Sequence, residues 1–153
     1  LVGSEMCIRD RSSPQATPVR LSAQEALVGA MVVMSACDGH MTDAELATMS
    51  RLVKELPVFS DFHVSGIETV TEIVLNLLGD TDGLDEVVAL IRDALPQRLR
   101  ETAYLLACEI VAADGDATQD ELRFLQDFRI GLDIDRLVAG AIERAAKARY
   151  QVI

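Results

Sequence analysis

From Ser22 onward the chain is a succession of apolar stretches with helical period, separated by short polar breaks that read as helix ends. Ser22-Ala-Gln-Glu25 has the form of a capping box, in which a hydroxyl and a glutamate satisfy the free amides of a first helical turn. Leu27, Ala30, Met31 and Met34 then recur at the spacing of one helix face, and Asp38-Gly39 supplies the stop. Thr42-Asp-Ala-Glu45 opens a second helix with an apolar stripe of Leu46, Met49, Leu52/Val53 and Leu56, closed by Pro57. The following loop, Pro57 to His63, holds Phe59 and Phe62, which are expected to pin it to the core. A third helix is expected from near Ser65 with Ile67, Val70, Val74, Leu77 and Leu78 inward, and a fourth from Leu84 to Ala94 after the turn Gly79–Gly83. Pro96 suits the first turn of a fifth helix carrying Leu99, Ala103, Leu106 and Ile110. Thr118-Gln-Asp-Glu121 caps a sixth, with stripe Leu122, Leu125 and Phe128 and a stop at Gly131, and a seventh runs from near Asp133 to about Tyr150. No segment sustains period-two alternation, so the expected fold class is all-α with about seven helices and no strands.

Two of these breaks are copies of each other. Asp38-Gly39-His40-Met41-Thr42-Asp43-Ala44-Glu45-Leu46 recurs as Asp114-Gly115-Asp116-Ala117-Thr118-Gln119-Asp120-Glu121-Leu122, without gaps at an offset of 76 residues. The flanks agree in character: Ala30 with Leu106, Met34 with Ile110, Met49 with Leu125, Leu52 with Phe128. The expected architecture is two repeated helix–turn–helix hairpins packed face to face with pseudo-two-fold symmetry, with the third, fourth and seventh helices covering them.

The 153-residue length fits one domain able to bury its own core. The apolar half of the chain is aliphatic, with no Trp, which suits packed helices. The formal charge of −11 repels phosphate backbones and argues against nucleic acid as a partner. Cys7, Cys37 and Cys108 are an odd set without C-x-x-C spacing, so a disulfide framework or thiolate zinc site is not expected, and a reducing compartment is. The most apolar run, Ala26 to Cys37, spans 12 residues, against about 20 for a membrane crossing. Residues 1–20 are read as a leader outside the domain at 21–150. Residues 1–11 lack an initiating Met and an apolar signal core, and resemble translated sequencing adaptor.

The repeated motif admits two functions. Asp-Gly as a turn and Thr-x-x-Glu as a capping box explain a tight helical hairpin with no ligand. The same string also matches the second half of an EF-hand loop, in which Asp and the last Glu supply oxygens to calcium. The first half is missing: the positions of its leading carboxylates are Met34 and Ala36 in one copy, Ile110 and Ala112 in the other. The candidate cation ligands are Asp38, Glu45, Asp114, Asp116 and Glu121, with calcium the first choice and the Asp114 copy, which adds Asp120, the denser. Capping and ligation compete for the atoms of Glu45 and Glu121. Nothing points to catalysis. Neither His40 nor His63 has a partner set suggesting a triad, and no phosphate-binding Gly loop or H-E-x-x-H helix occurs.

The pairing of SACDGHMTDAEL with VAADGDATQDEL, the intervening LPVFSDFHVSGIE and the late acidic GLDIDRL together resemble the tellurite resistance TerB family over residues 21–150. A related fold occurs as the N-terminal domain of a membrane-anchored J-domain co-chaperone. The resemblance implies a compact cytoplasmic seven-helix domain with a role in tellurite resistance and related stress responses. It also implies protein partners, among them a membrane-bound tellurite-resistance component, and divalent cation binding near the two turns. Asp38, Glu45, Asp114 and Glu121 are the matching positions, whereas Asp116 faces His40 in the other copy, so the two sites are not equivalent. The alternative reading is a metal-independent helical module for protein interaction.

Overall fold

The computed structural model describes residues 17–37 and 39–153. Within them the chain forms seven α-helices and no strand: α1 (Ala23–Ala36), α2 (Asp43–Glu55), α3 (Gly66–Leu78), α4 (Gly83–Ala94), α5 (Gln97–Ala113), α6 (Gln119–Gly131) and α7 (Arg136–Arg149). The loop after α2 contains one 3-10 turn, Pro57–Phe59, which buries Phe59.

The three expected capping boxes form in full. The hydroxyls of Ser22, Thr42 and Thr118 each accept the N3 amide hydrogen while the N3 glutamate accepts from the N-cap amide. Both turn glycines are left-handed, Gly39 at φ 81° and Gly115 at φ 87°, a conformation in which a Cβ would crowd the following carbonyl. Each copy of the repeat therefore has the same left-handed glycine and the same capped helix start, while α5 runs one residue further into its turn than α1.

Helix α1 is buried on all sides from Ala26 to Ser35, because α5, α3 and α4 surround it and α2 touches it. The second long central helix, α5, packs on α1 and carries α7, α2 and α6. The first helices of the two hairpins thus form the core pair, with α3 and α4 covering one and α7 the other.

Several local expectations need correction. Leu46 and Leu122 are not core residues; they are 40% and 47% exposed. Both occupy the fourth helical position after a capping box, the place of a hydrophobic staple to the residue before the cap, and the inward face begins one turn later at Met49 and Leu125. Pro96 is the N-cap of α5 rather than its first helical residue. Gly131 does end α6, as expected, though not by turning left-handed. It lies inside the last turn against Val88, and the positive φ falls on Asp133 at 56°. Helix α7 starts later than expected because Asp135 is the N-cap: its Oδ1 accepts from the amides of Leu137 at 2.9 Å and Val138 at 3.3 Å.

Candidate functional site

The repeated turns place their acidic residues in two different environments. Asp114, Asp116 and Asp120 are exposed, as is Asp43 in the other copy. Glu45 and Glu121 are buried, with 3% and 6% exposure. In both, Oε2 accepts from the threonine amide at 2.7 Å and from the threonine hydroxyl at 2.9 Å, while the glutamate amide donates back to that hydroxyl at 3.2 Å. Asp38 lies outside the described residues.

Among the described residues these turns gather few free oxygens for a calcium ion, which takes six to eight. One oxygen of each buried glutamate is already occupied by two hydrogen bonds, and the first helical turn holds that carboxylate where the helix dipole favours it. Among the described residues no three His, Cys, Asp or Glu side chains come together in a group that could hold a metal ion.

A different set of polar groups gathers on α5. Glu109 interrupts the apolar run Ala103–Val111 and is only 3% exposed. Its Oε2 accepts the hydroxyl hydrogen of Tyr150 at 2.7 Å, and that hydroxyl accepts from Arg51 Nη2 at 2.6 Å. Arg149 Nη1 lies 3.3 Å from Glu109 Oε1, and Arg51 3.9 Å from Oε2. Burial, reinforced by the hydrogen bond to Glu109 and its charge, pushes the Tyr150 hydroxyl up to about 12. Burial alone would lower the Arg51 pKa, but Tyr150, Glu55 and Glu109 together raise it.

One turn earlier on α5, Tyr104 donates to Glu143 Oε1 at 2.6 Å, and both its burial and this bond hold its proton more firmly. Because Tyr104 meets Glu143 and Glu109 meets Arg149 and Tyr150, α5 and α7 run parallel. Neither pair is announced by the sequence pattern. A glutamate inside an apolar helix is a signal that a cation or donor must reach it, but the spacing does not say from where. The repeat gives no help, since the positions equivalent to Tyr104 and Glu109 are Val28 and Val33.

Helices α6 and α7 both lean on α5 but hardly touch each other. Between them lies an open trough of about 880 Å³. Tyr104, Cys108 and Val111 of α5 form its floor, Leu122 and Leu125 one wall, and Ala139, Gly140 and Ala146 the other. The turn of the second repeat copy, Gly115 to Ala117, rims one end. Burial pushes the Cys108 thiol up to about 12, with Glu143 adding to it, so at neutral pH it is an inert, protonated part of the floor.

Among the described residues no helix is long and apolar enough to cross a membrane. The family model described as "Tellurite resistance protein TerB" matches residues 24–143, from the first turn of α1 into α7. No curated protein and no solved structure matches the chain.

Proposed function

The chain belongs to the tellurite resistance TerB family, and we propose that it serves there as a non-catalytic, metal-independent interaction protein of the cytoplasmic response to tellurite and related stress. The observation carrying this reading is the double use of Glu45 and Glu121 Oε2 as hydrogen-bond acceptors inside capping boxes. The two best-placed carboxylates of the repeat are engaged in holding the hairpins, so the motif's conspicuous chemistry is accounted for by the fold. What remains for function is the surface the hairpins present, and the fitting partner is a protein, including a membrane-bound member of the same resistance system.

The test is calorimetric titration of calcium, magnesium, manganese and zinc into the full chain, alongside thermal melts at the same concentrations. The expected result is neither heat nor thermal stabilisation up to about 1 mM metal, at which a site with millimolar Kd would already be half filled. Saturable binding that is lost in Asp114→Asn together with Asp116→Asn overturns the reading in favour of a cation site at the second turn.

A further inference from the structure

We propose that the trough between α6 and α7 receives an amphipathic α-helix of a protein partner, with the helix's carboxylates directed to the end marked by Arg129 and Arg136. This rests on the interaction reading above and names its site and the chemistry of its partner.

The shape selects a helix. Both walls and the floor are sides of α-helices, whose backbone amides and carbonyls are already paired along their own axes. The trough therefore offers an entering chain no ladder of donors and acceptors of the kind an exposed strand edge provides. An occupant must arrive with its backbone satisfied, which a helix does. The α7 wall is lowest at the exposed Gly140, which has no side chain, so a partner helix can approach closely there. The opposite wall presents Leu122, whose side chain is 47% exposed.

Charge selects the sign of the partner. The whole chain carries 25 acidic and 14 basic residues. The trough reverses that balance: Arg129, Arg136 and Lys147 line it against Asp116 and Glu143. Glu143 is engaged by the Tyr104 hydroxyl, and Asp116 stands on the turn before α6. Arg129, in the last turn of α6, and Arg136, in the first of α7, sit at the opposite end. Arg129 is fixed by its bond from Nη1 to the Ile134 carbonyl at 3.1 Å, and its charge is felt by Tyr104 on the floor. A trough of mixed polarity that exposes Leu122 beside a cationic end, in an acidic protein, complements a helix bearing aliphatic residues on one face and Glu or Asp near one terminus.

Gly140 supplies a test that spares the fold. A Cβ built there meets nothing within 4 Å, so a side chain at this position would project into the open trough. The probe is a fluorescein-labelled peptide of about 18 residues, long enough to be helical alone, with Leu at i, i+3, i+4 and i+7 and Glu at one end. A second peptide replaces each Glu with Lys. Anisotropy titrations with the full chain are expected to show the Glu peptide binding at least about tenfold more tightly than the Lys peptide. Gly140→Leu should weaken it by about tenfold or more without lowering the melting temperature. Arg136→Glu should abolish the preference between the two peptides, and Leu122→Asp should weaken both, so the result does not depend on one variant. The proposal is overturned if neither peptide binds, if the Lys peptide binds as well as the Glu peptide, if Gly140→Leu leaves affinity unchanged, or if the chain is a dimer closed through this trough. Failure here is separable from failure of the interaction reading, which falls only if metals bind in the calorimetric test.

Discussion

Tyr150, at the C-cap of α7, donates its hydroxyl hydrogen to Glu109 on α5 across 2.7 Å and 41 residues of sequence. The same oxygen takes a hydrogen bond from Arg51 on α2, so three helices meet in one relay. The carboxylate is inside and its two arginines are partly outside, with side-chain exposures of 35% for Arg51 and 52% for Arg149. Solvent therefore screens the ion pairs, and the hydrogen bond from Tyr150 is the least screened member. Tyr150→Phe is expected to destabilise the chain by about 2 kcal/mol in urea unfolding, and Glu109→Ala by about 3 kcal/mol. Arg149→Ala should cost no more than about 1 kcal/mol. An order in which Arg149→Ala is the most damaging contradicts this account.

The protons of this region make stability depend on alkaline pH. Burial first, then the neighbouring carboxylates, raise Tyr150 from 10.0 to about 12 and Cys108 from 9.0 to about 12. Both groups bind the proton more tightly folded than unfolded. Their contribution is complete below the unfolded values and is lost as pH climbs through the folded ones. Thermal melts should therefore show no loss from these groups up to about pH 9 and a progressive fall between about pH 9 and 12. Tyr150→Phe should flatten that fall. A drop of the same steepness in Tyr150→Phe and Cys108→Ala would show that other groups carry it.

The helices were legible because their ends are written locally. Ser22, Thr42 and Thr118 lie three residues before a glutamate, and that spacing alone places three helix starts. Core positions on α5 were legible from period, whereas α1 is buried on every face and its single expected stripe caught only part of it. Exposure at Leu46 and Leu122 was not, since period does not tell a staple position from an inward one. The end of α6 at Gly131 was legible but its cause was not: Gly131 is small for packing against Val88, and the left-handed residue is Asp133 in the loop that follows. At the site, the repeat was the loudest signal, and it encodes capping. The relay from Arg51 through Tyr150 to Glu109 and the trough above Tyr104 depend on how α2, α5, α6 and α7 meet. No local pattern holds that information.

Matched capping geometry in the two copies predicts matched energetics. Thr42→Ala and Thr118→Ala should each cost about 1 kcal/mol, and should agree within about 0.5 kcal/mol. Glutamine also closes a capping box, so Glu121→Gln should keep most of the stability that Glu121→Ala loses. It should also leave partner binding intact, whereas a coordinating carboxylate would not survive the change. Equilibrium unfolding of the four variants checks the first part. A Glu121→Gln variant as unstable as Glu121→Ala would show that the charge, not the hydrogen bonds, is what the cap requires.

Three glycines should respond to alanine in three different ways. At Gly140 a methyl group enters open space on a helix, and replacing glycine there should stabilise the chain by up to about 1 kcal/mol. At Gly115 the space is equally open, but φ is 87°, so alanine is strained by the backbone alone and should cost about 1–2 kcal/mol. At Gly83, the first residue of α4, a Cβ would collide with the backbone carbonyl of Leu77 at the end of α3. That contact is between main chains and cannot be relieved by a rotamer, so Gly83→Ala should exceed the roughly 1–3 kcal/mol of ordinary overpacking. Urea midpoints for the three single variants give the ranking directly. If Gly115→Ala proved as benign as Gly140→Ala, the left-handed turn that defines the repeat would not be held in solution.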